Sequence, residues 1–139
     1  MLHAKITHVR DLQFVGEASS NHAVVMDGGI SSGGNNTGST PMELLLLGLG
    51  GCSGMDIISI LKKKRQDVSG LDINVTGRNA ENYPRKFEEI SLEFVIKGRN
   101  ISEEAVKRAV DLSMTKYCSV KANLECSAKI TFAYRIVPD

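Results

Sequence analysis

Several absences narrow the reading before any motif does. Only three cysteines occur, with neither a C-x-x-C pair nor a His/Cys metal spacing, so the chain has no disulfide framework and free thiols are expected. No resident metal or bound organic cofactor is expected either. Charge of one sign is also missing. Seventeen basic residues against sixteen acidic leave a formal charge of +1, so no global field draws nucleic acid or an anionic membrane. The opening Met-Leu-His-Ala-Lys-Ile lacks a basic segment followed by an apolar core and reads as a strand, not a signal peptide; a cytoplasmic protein is the expectation. There is no G-x-x-x-x-G-K-[ST] pattern, so the glycine-rich residues 28–39 read as a mobile loop and not as a phosphate cradle. A length of 139 residues fits one domain, 1–139, with a sizeable core.

What is present is organised around residues 40–61. Thr40, Pro41 and Glu43 compose a capping box with proline at the first helical position. From Met42 to Leu61 apolar and small residues fall on nearly every face, which predicts a helix buried on most sides. A membrane span is the competing reading. Glu43, Asp56 and the glycines at 48, 50, 51 and 54 interrupt the apolar run and favour burial in protein. The cations Lys62 to Arg65 suit the helix C-terminus and need no anionic ligand.

Around this helix the period is that of strands. Leu2–Val9, Gln13–Ala18 and Ala23–Met26 are short segments separated by turn residues, an antiparallel meander. Leu71–Gly77 and Phe87–Lys97 alternate on either side of a Tyr83-Pro84 turn, the second placing Ile90, Leu92, Phe94 and Ile96 on one face. Ser102 caps a second helix, with apolar positions Val106, Ala109, Val110, Ser113, Met114 and Tyr117, running to Cys118. Residues 119–124 read as a loop or a fraying helix end, and Ala128–Val137 as the last strand. The result is an α+β fold of order β-β-β-α-β-β-α-β with antiparallel sheets wrapped around central helices. A helix apolar all round is hard for one chain to cover, so an intertwined homodimer is expected.

Cys52 in a buried helix that opens Thr-Pro-x-Glu, followed by Cys118-Ser-Val at the end of a second helix, resembles the OsmC/Ohr superfamily across nearly the whole chain. The resemblance implies a two-cysteine thiol peroxidase that reduces organic or lipid hydroperoxides as a domain-intertwined dimer. Cys52 would become the sulfenic acid and Cys118 the resolving thiol, with an external thiol reductant of unspecified identity closing the cycle.

The chain departs from the best-studied branch. There, an arginine from the early strands and a glutamate ten residues before the first cysteine assist the thiolate. Here Met42 stands ten before Cys52, and the arginine position falls near Gln13 or Phe14. Glu43 is nine before Cys52, roughly on the opposite face of a straight helix, so it serves either its capping box or a partner subunit's thiol. Arg10 is the nearest basic candidate, or a solvated end-of-strand residue. Asp56, four residues after Cys52 and on its helix face, is either a local base for the thiol or a carboxylate hydrogen-bonded to a strand's backbone in the dimer core. Cys126 reads as a small buried hydrophobe, and His3, His8 and His22 as surface residues. Two further functional readings stand beside the peroxidase: a non-catalytic module binding a small apolar ligand, and a disulfide-based redox sensor.

Overall fold

The structure, a computed structural model, describes residues 1–139, and the chain divides into two compact units, residues 1–45 and 46–139. In the first unit β1 (Ala4–Arg10), β2 (Gln13–Ala18) and β3 (Ala23–Met26) form the expected antiparallel meander. Asp11 and Asn21 take left-handed backbone at its two turns, φ 48° and 64°, a conformation these short polar residues tolerate. His3, His8 and His22 are exposed.

The glycine-rich segment is more ordered than the sequence predicts. Asp27, only 2% exposed, accepts hydrogen bonds from the backbone N–H groups of Gly28, Asn35 and Thr37 and from the Thr37 hydroxyl. These donors, the Thr37 hydroxyl foremost, hold the Asp27 carboxyl below the usual carboxylate range. Gly34 lies so close to the Gly28 backbone that a Cβ there would collide, and a 3-10 turn forms at Ile30–Ser32. A polar-rich segment with little to bury is thus organised by one carboxylate.

Helix α1 (Pro41–Lys63) starts where its cap predicts: the Thr40 N–H donates to Glu43 Oε1 at 2.8 Å and the Glu43 N–H to Thr40 Oγ1 at 3.2 Å. Its buried stripe in the second unit is Leu49, Ser53, Ile57 and Leu61 at four-residue spacing, flanked by Gly50 and Gly54. Those two glycines press on the sheet. A Cβ on Gly50 would stand 3.2 Å from Val75 Cγ2, and one on Gly54 2.7 Å from Ile73 Cδ1.

The sheet beneath is β4 (Asp67–Asn79), β5 (Phe87–Arg99) and β6 (Lys129–Pro138), in that spatial order. The central strand β5 buries Ile90, Leu92, Phe94 and Ile96, as the alternation predicts. One expectation is corrected here: β6 runs parallel to β5, so this sheet is mixed and not antiparallel. The cause is the helical crossover, since the chain returns to the starting edge through residues 103–124 and a parallel neighbour needs such a connection. That crossover contains α2 (Glu103–Leu112), capped by Ser102, then a π-turn at Ser113–Tyr117, then a short α3 (Ser119–Leu124) in place of the loop or frayed end.

The burial on most sides expected for α1 is not reached within the single chain. Leu47, Met55 and Ile58 are 61%, 76% and 42% exposed, and Cβ atoms on Gly48 and Gly51 would meet nothing. By length and composition α1 is apolar enough to cross a membrane, yet its inner face is taken by β4. Apolar residues all round therefore describe a helix with one face on its own sheet and another uncovered.

The glycine contact is testable by a double-mutant cycle. Gly54→Ala pushes a methyl into Ile73 Cδ1, and Ile73→Val removes that atom. Urea unfolding should give a favourable coupling of about 0.5 kcal/mol or more between them; additive effects would mean the helix stands farther from the strand.

Candidate functional site

Cys52 and Asp56 lie one turn apart on α1, half-buried between its inner stripe and its uncovered face. Cys118 reaches them from the other helical segment. Its N–H bonds to the Ser113 carbonyl at 2.9 Å, closing the π-turn, and the chain turns there so that Cys118 is 5% exposed while Tyr117 is 48% exposed. A regular helix through 117, as the periodicity suggests, would have kept Tyr117 on the apolar face. The Cys52 Sγ, the Cys118 Sγ and an Asp56 carboxylate oxygen all lie within 4.8 Å of one another.

Asp56 is oriented by a residue the sequence reading assigned only to packing. Ser113, fully buried, stands with its Oγ 2.9 Å from Asp56 Oδ2 and 3.4 Å from the Ser53 carbonyl. The shorter, charge-assisted contact is the stronger, so the hydroxyl donates chiefly to the carboxylate. Ser53 turns its own hydroxyl back to the Leu49 and Gly50 carbonyls. The expected alternative of a strand-backbone partner for Asp56 is replaced by this side-chain contact between α1 and the π-turn. Nothing in the periodicity distinguishes Ser113 from a small core residue.

Cys118 does not sit at the end of its helix with nothing beyond. It caps the start of α3, its Sγ accepting from the Lys121 N–H at 3.4 Å. That donor favours the thiolate, but burial outweighs it, and Cys52 and Asp56 add to the upward push: the Cys118 thiol rises from 9.0 to about 11. Cys118 is therefore a protonated thiol at neutral pH, a poor initial nucleophile and a proton donor. Cys126, read as a buried hydrophobe, is instead exposed at the end of the crossover, where no apolar layer covers it.

Glu43 and Arg10 belong to the first unit. Glu43 is committed to its cap, whose Thr40 backbone and hydroxyl donors lower its pKa. Arg10 is exposed at the end of β1, paired across the sheet with Gln13, and makes no ion pair. The cluster that forms is Cys52, Cys118 and Asp56. Beside Asp56 opens a cleft of about 460 Å³ whose walls include Ile60, Leu112 and Tyr117, with Lys63 and Lys64 at its rim.

Comparison with known proteins agrees with this fold. The chain is 43% identical to Protein YhfA of Escherichia coli strain K12 over 136 residues, 98% of each chain. A crystal structure of a hypothetical protein from Aquifex aeolicus VF5 superposes with a TM-score of 0.88 at 32% identity, covering 100% of this chain and 98% of that one. An organic hydroperoxide resistance protein from Legionella pneumophila shares the fold at a TM-score of 0.69 and 10% identity, with 96% of each chain covered. The family model described as OsmC-like protein matches residues 33–133, which span both cysteines and Asp56, and the chain belongs to the OsmC-like family.

Proposed function

We propose that the protein is a two-cysteine thiol peroxidase for organic or lipid hydroperoxides, with Cys52 as the attacking thiol and Cys118 as the resolving one. The observation that carries the proposal is the approach of the two sulfurs to within 4.8 Å of each other and of Asp56, a residue that lines an open cleft. Membership of a family whose fold relatives include organic hydroperoxide resistance proteins supports the same substrate class.

The proposed steps use this geometry. Cys52 loses its proton to Asp56, whose carboxylate is within reach, and the thiolate attacks the distal peroxide oxygen. The O–O bond breaks, the alcohol leaves with a proton, and Cys52 becomes a sulfenic acid. The Cys118 thiol then displaces hydroxide from that sulfur, giving water and the Cys52–Cys118 disulfide, which an external dithiol reduces. The apolar side chains of the cleft, Ile60, Leu112 and Tyr117, suit an alkyl chain better than hydrogen peroxide. Arg10 and Glu43 are assigned no step. In this reading the external dithiol is supplied by a reducing compartment, the cytoplasm.

The working unit in this proposal is a homodimer. Leu47, Met55 and Ile58 expose an apolar stripe, and Gly48 and Gly51 are glycines that this chain's own packing does not require. A second copy laid on that stripe accounts for both. A non-catalytic module is the second reading. It is favoured by an apolar cleft of about 500 Å³ in the first unit, lined by Ile6, Leu12, Phe14 and Met26 among others.

Three outcomes are expected. Reduced protein should consume cumene hydroperoxide faster than hydrogen peroxide, with turnover abolished in Cys52→Ser and a sulfenic acid trapped in Cys118→Ser; thiols left reduced under excess peroxide favour the binding module. Iodoacetamide at about pH 8 should label Cys126 readily and Cys118 hardly at all, the Cys118 rate climbing with its thiolate fraction as pH approaches about 11. Equal rates at about pH 8 would contradict the burial account. Light scattering should return twice the chain mass, and Met55→Glu should shift it toward the monomer.

A further inference from the structure

The cluster has a composition that suits a second role beside the base that Asp56 supplies in the peroxidase cycle. Two sulfurs and a carboxylate oxygen, from residues 52, 56 and 118, converge within 4.8 Å. A dithiol needs only its two sulfurs to close a disulfide. The carboxylate adds a third donor, and it is not free to swing away, because Ser113 Oγ holds one of its oxygens at 2.9 Å. Ligating carboxylates are commonly oriented by an outer hydrogen bond of this kind. Sulfur with carboxylate is a donor set for a borderline-soft divalent ion, for which tetrahedral Zn–S distances are about 2.3 Å and the donor atoms stand roughly 4 Å or less apart. From the outer limit of 4.8 Å the contraction to that spacing is about 1 Å, within the reach of side-chain rotation. The cleft bordered by Asp56 gives the ion a path and leaves the fourth position to water.

We propose that the reduced protein binds one divalent ion of the zinc class through Cys52, Cys118 and Asp56, and that metal and disulfide compete for the same sulfur pair. Binding displaces one proton from each thiol to solvent. Oxidation reverses it: one hydroperoxide, two protons and the metal dithiolate give the disulfide, the alcohol, water and the free metal ion. The two electrons that reduce the peroxide come from the two sulfurs, and the metal keeps its charge throughout. Sequence spacing could not announce such a site, since its ligands meet only through the packing of α1 against the π-turn. The inference goes beyond the peroxidase reading, and its binding half stands whether or not the protein reduces peroxides.

The test uses Co²⁺ and Zn²⁺ with reduced full-length protein and no peroxide. Co²⁺ should bind with a one-to-one endpoint and a sulfur-to-cobalt charge-transfer band, which Zn²⁺ displaces. The band should vanish in the disulfide form, weaken in Cys52→Ser and Cys118→Ser, and persist in Cys126→Ser. Asp56→Asn, checked for native circular dichroism, should lose affinity by about tenfold or more. As a measure independent of variants, Zn²⁺ should slow alkylation of Cys52 and Cys118 in the unmodified sequence by about tenfold or more while leaving Cys126 unchanged. No charge-transfer band, a band that depends on Cys126, undiminished affinity in folded Asp56→Asn, or no protection of the two thiols would each overturn the proposal. Because no peroxide enters the titration, its failure leaves the peroxidase assignment intact, and failed turnover leaves the metal site intact.

Discussion

The close seating of α1 on β4 through Gly50 and Gly54 is the contact on which the site depends. A helix held off by ordinary side chains would sit farther from the strand, and Cys52 and Asp56 would be displaced with it. Because both glycines lie in the same turns as these residues, the depth of the helix and the position of the chemistry are set together. Ser53 and Ser113 complete the arrangement: small, buried and hydrogen-bonded, they let α1 and the π-turn approach without leaving polar atoms unsatisfied.

The π-turn has the complementary role. One extra residue in the turn at Ser113–Tyr117 moves Tyr117 to solvent and Cys118 inward, and the new helix that starts at Cys118 supplies a backbone N–H to its sulfur. The two thiols are thereby made unequal. Cys118 is buried and held protonated, while Cys52 lies half-buried at the helix edge next to a carboxylate. An attacking thiol and a proton-bearing resolving thiol are the asymmetry that the proposed cycle needs.

Much of this was legible in the residues. The capping box at Thr40, the alternation along β5, the Ser102 cap and the meander all follow local rules, and the structure has them where those rules put them. Other features arise only from tertiary contacts. The parallel pairing of β6 depends on where the crossover returns, the Asp27 cradle on donors up to ten residues away, and the π-turn on packing that local periodicity does not encode. Cys52 and Asp56 were recognisable as neighbours by their four-residue spacing. Their meeting with Cys118 and Ser113 depends on how the second sheet and the crossover fold back on α1. The uniform apolarity of α1 suggested burial on most sides, whereas one chain covers only one face; composition alone does not say which molecule covers the other.

The central claim is that Cys52 and Cys118 form one redox couple. The most direct measurement is peptide mapping by mass spectrometry after reduced protein meets one equivalent of cumene hydroperoxide. The account predicts a single linked peptide pair containing Cys52 and Cys118, with Cys126 still a thiol and the intact chain lighter by the two thiol hydrogens. A disulfide through Cys126, or Cys52 oxidised with Cys118 untouched, would contradict it.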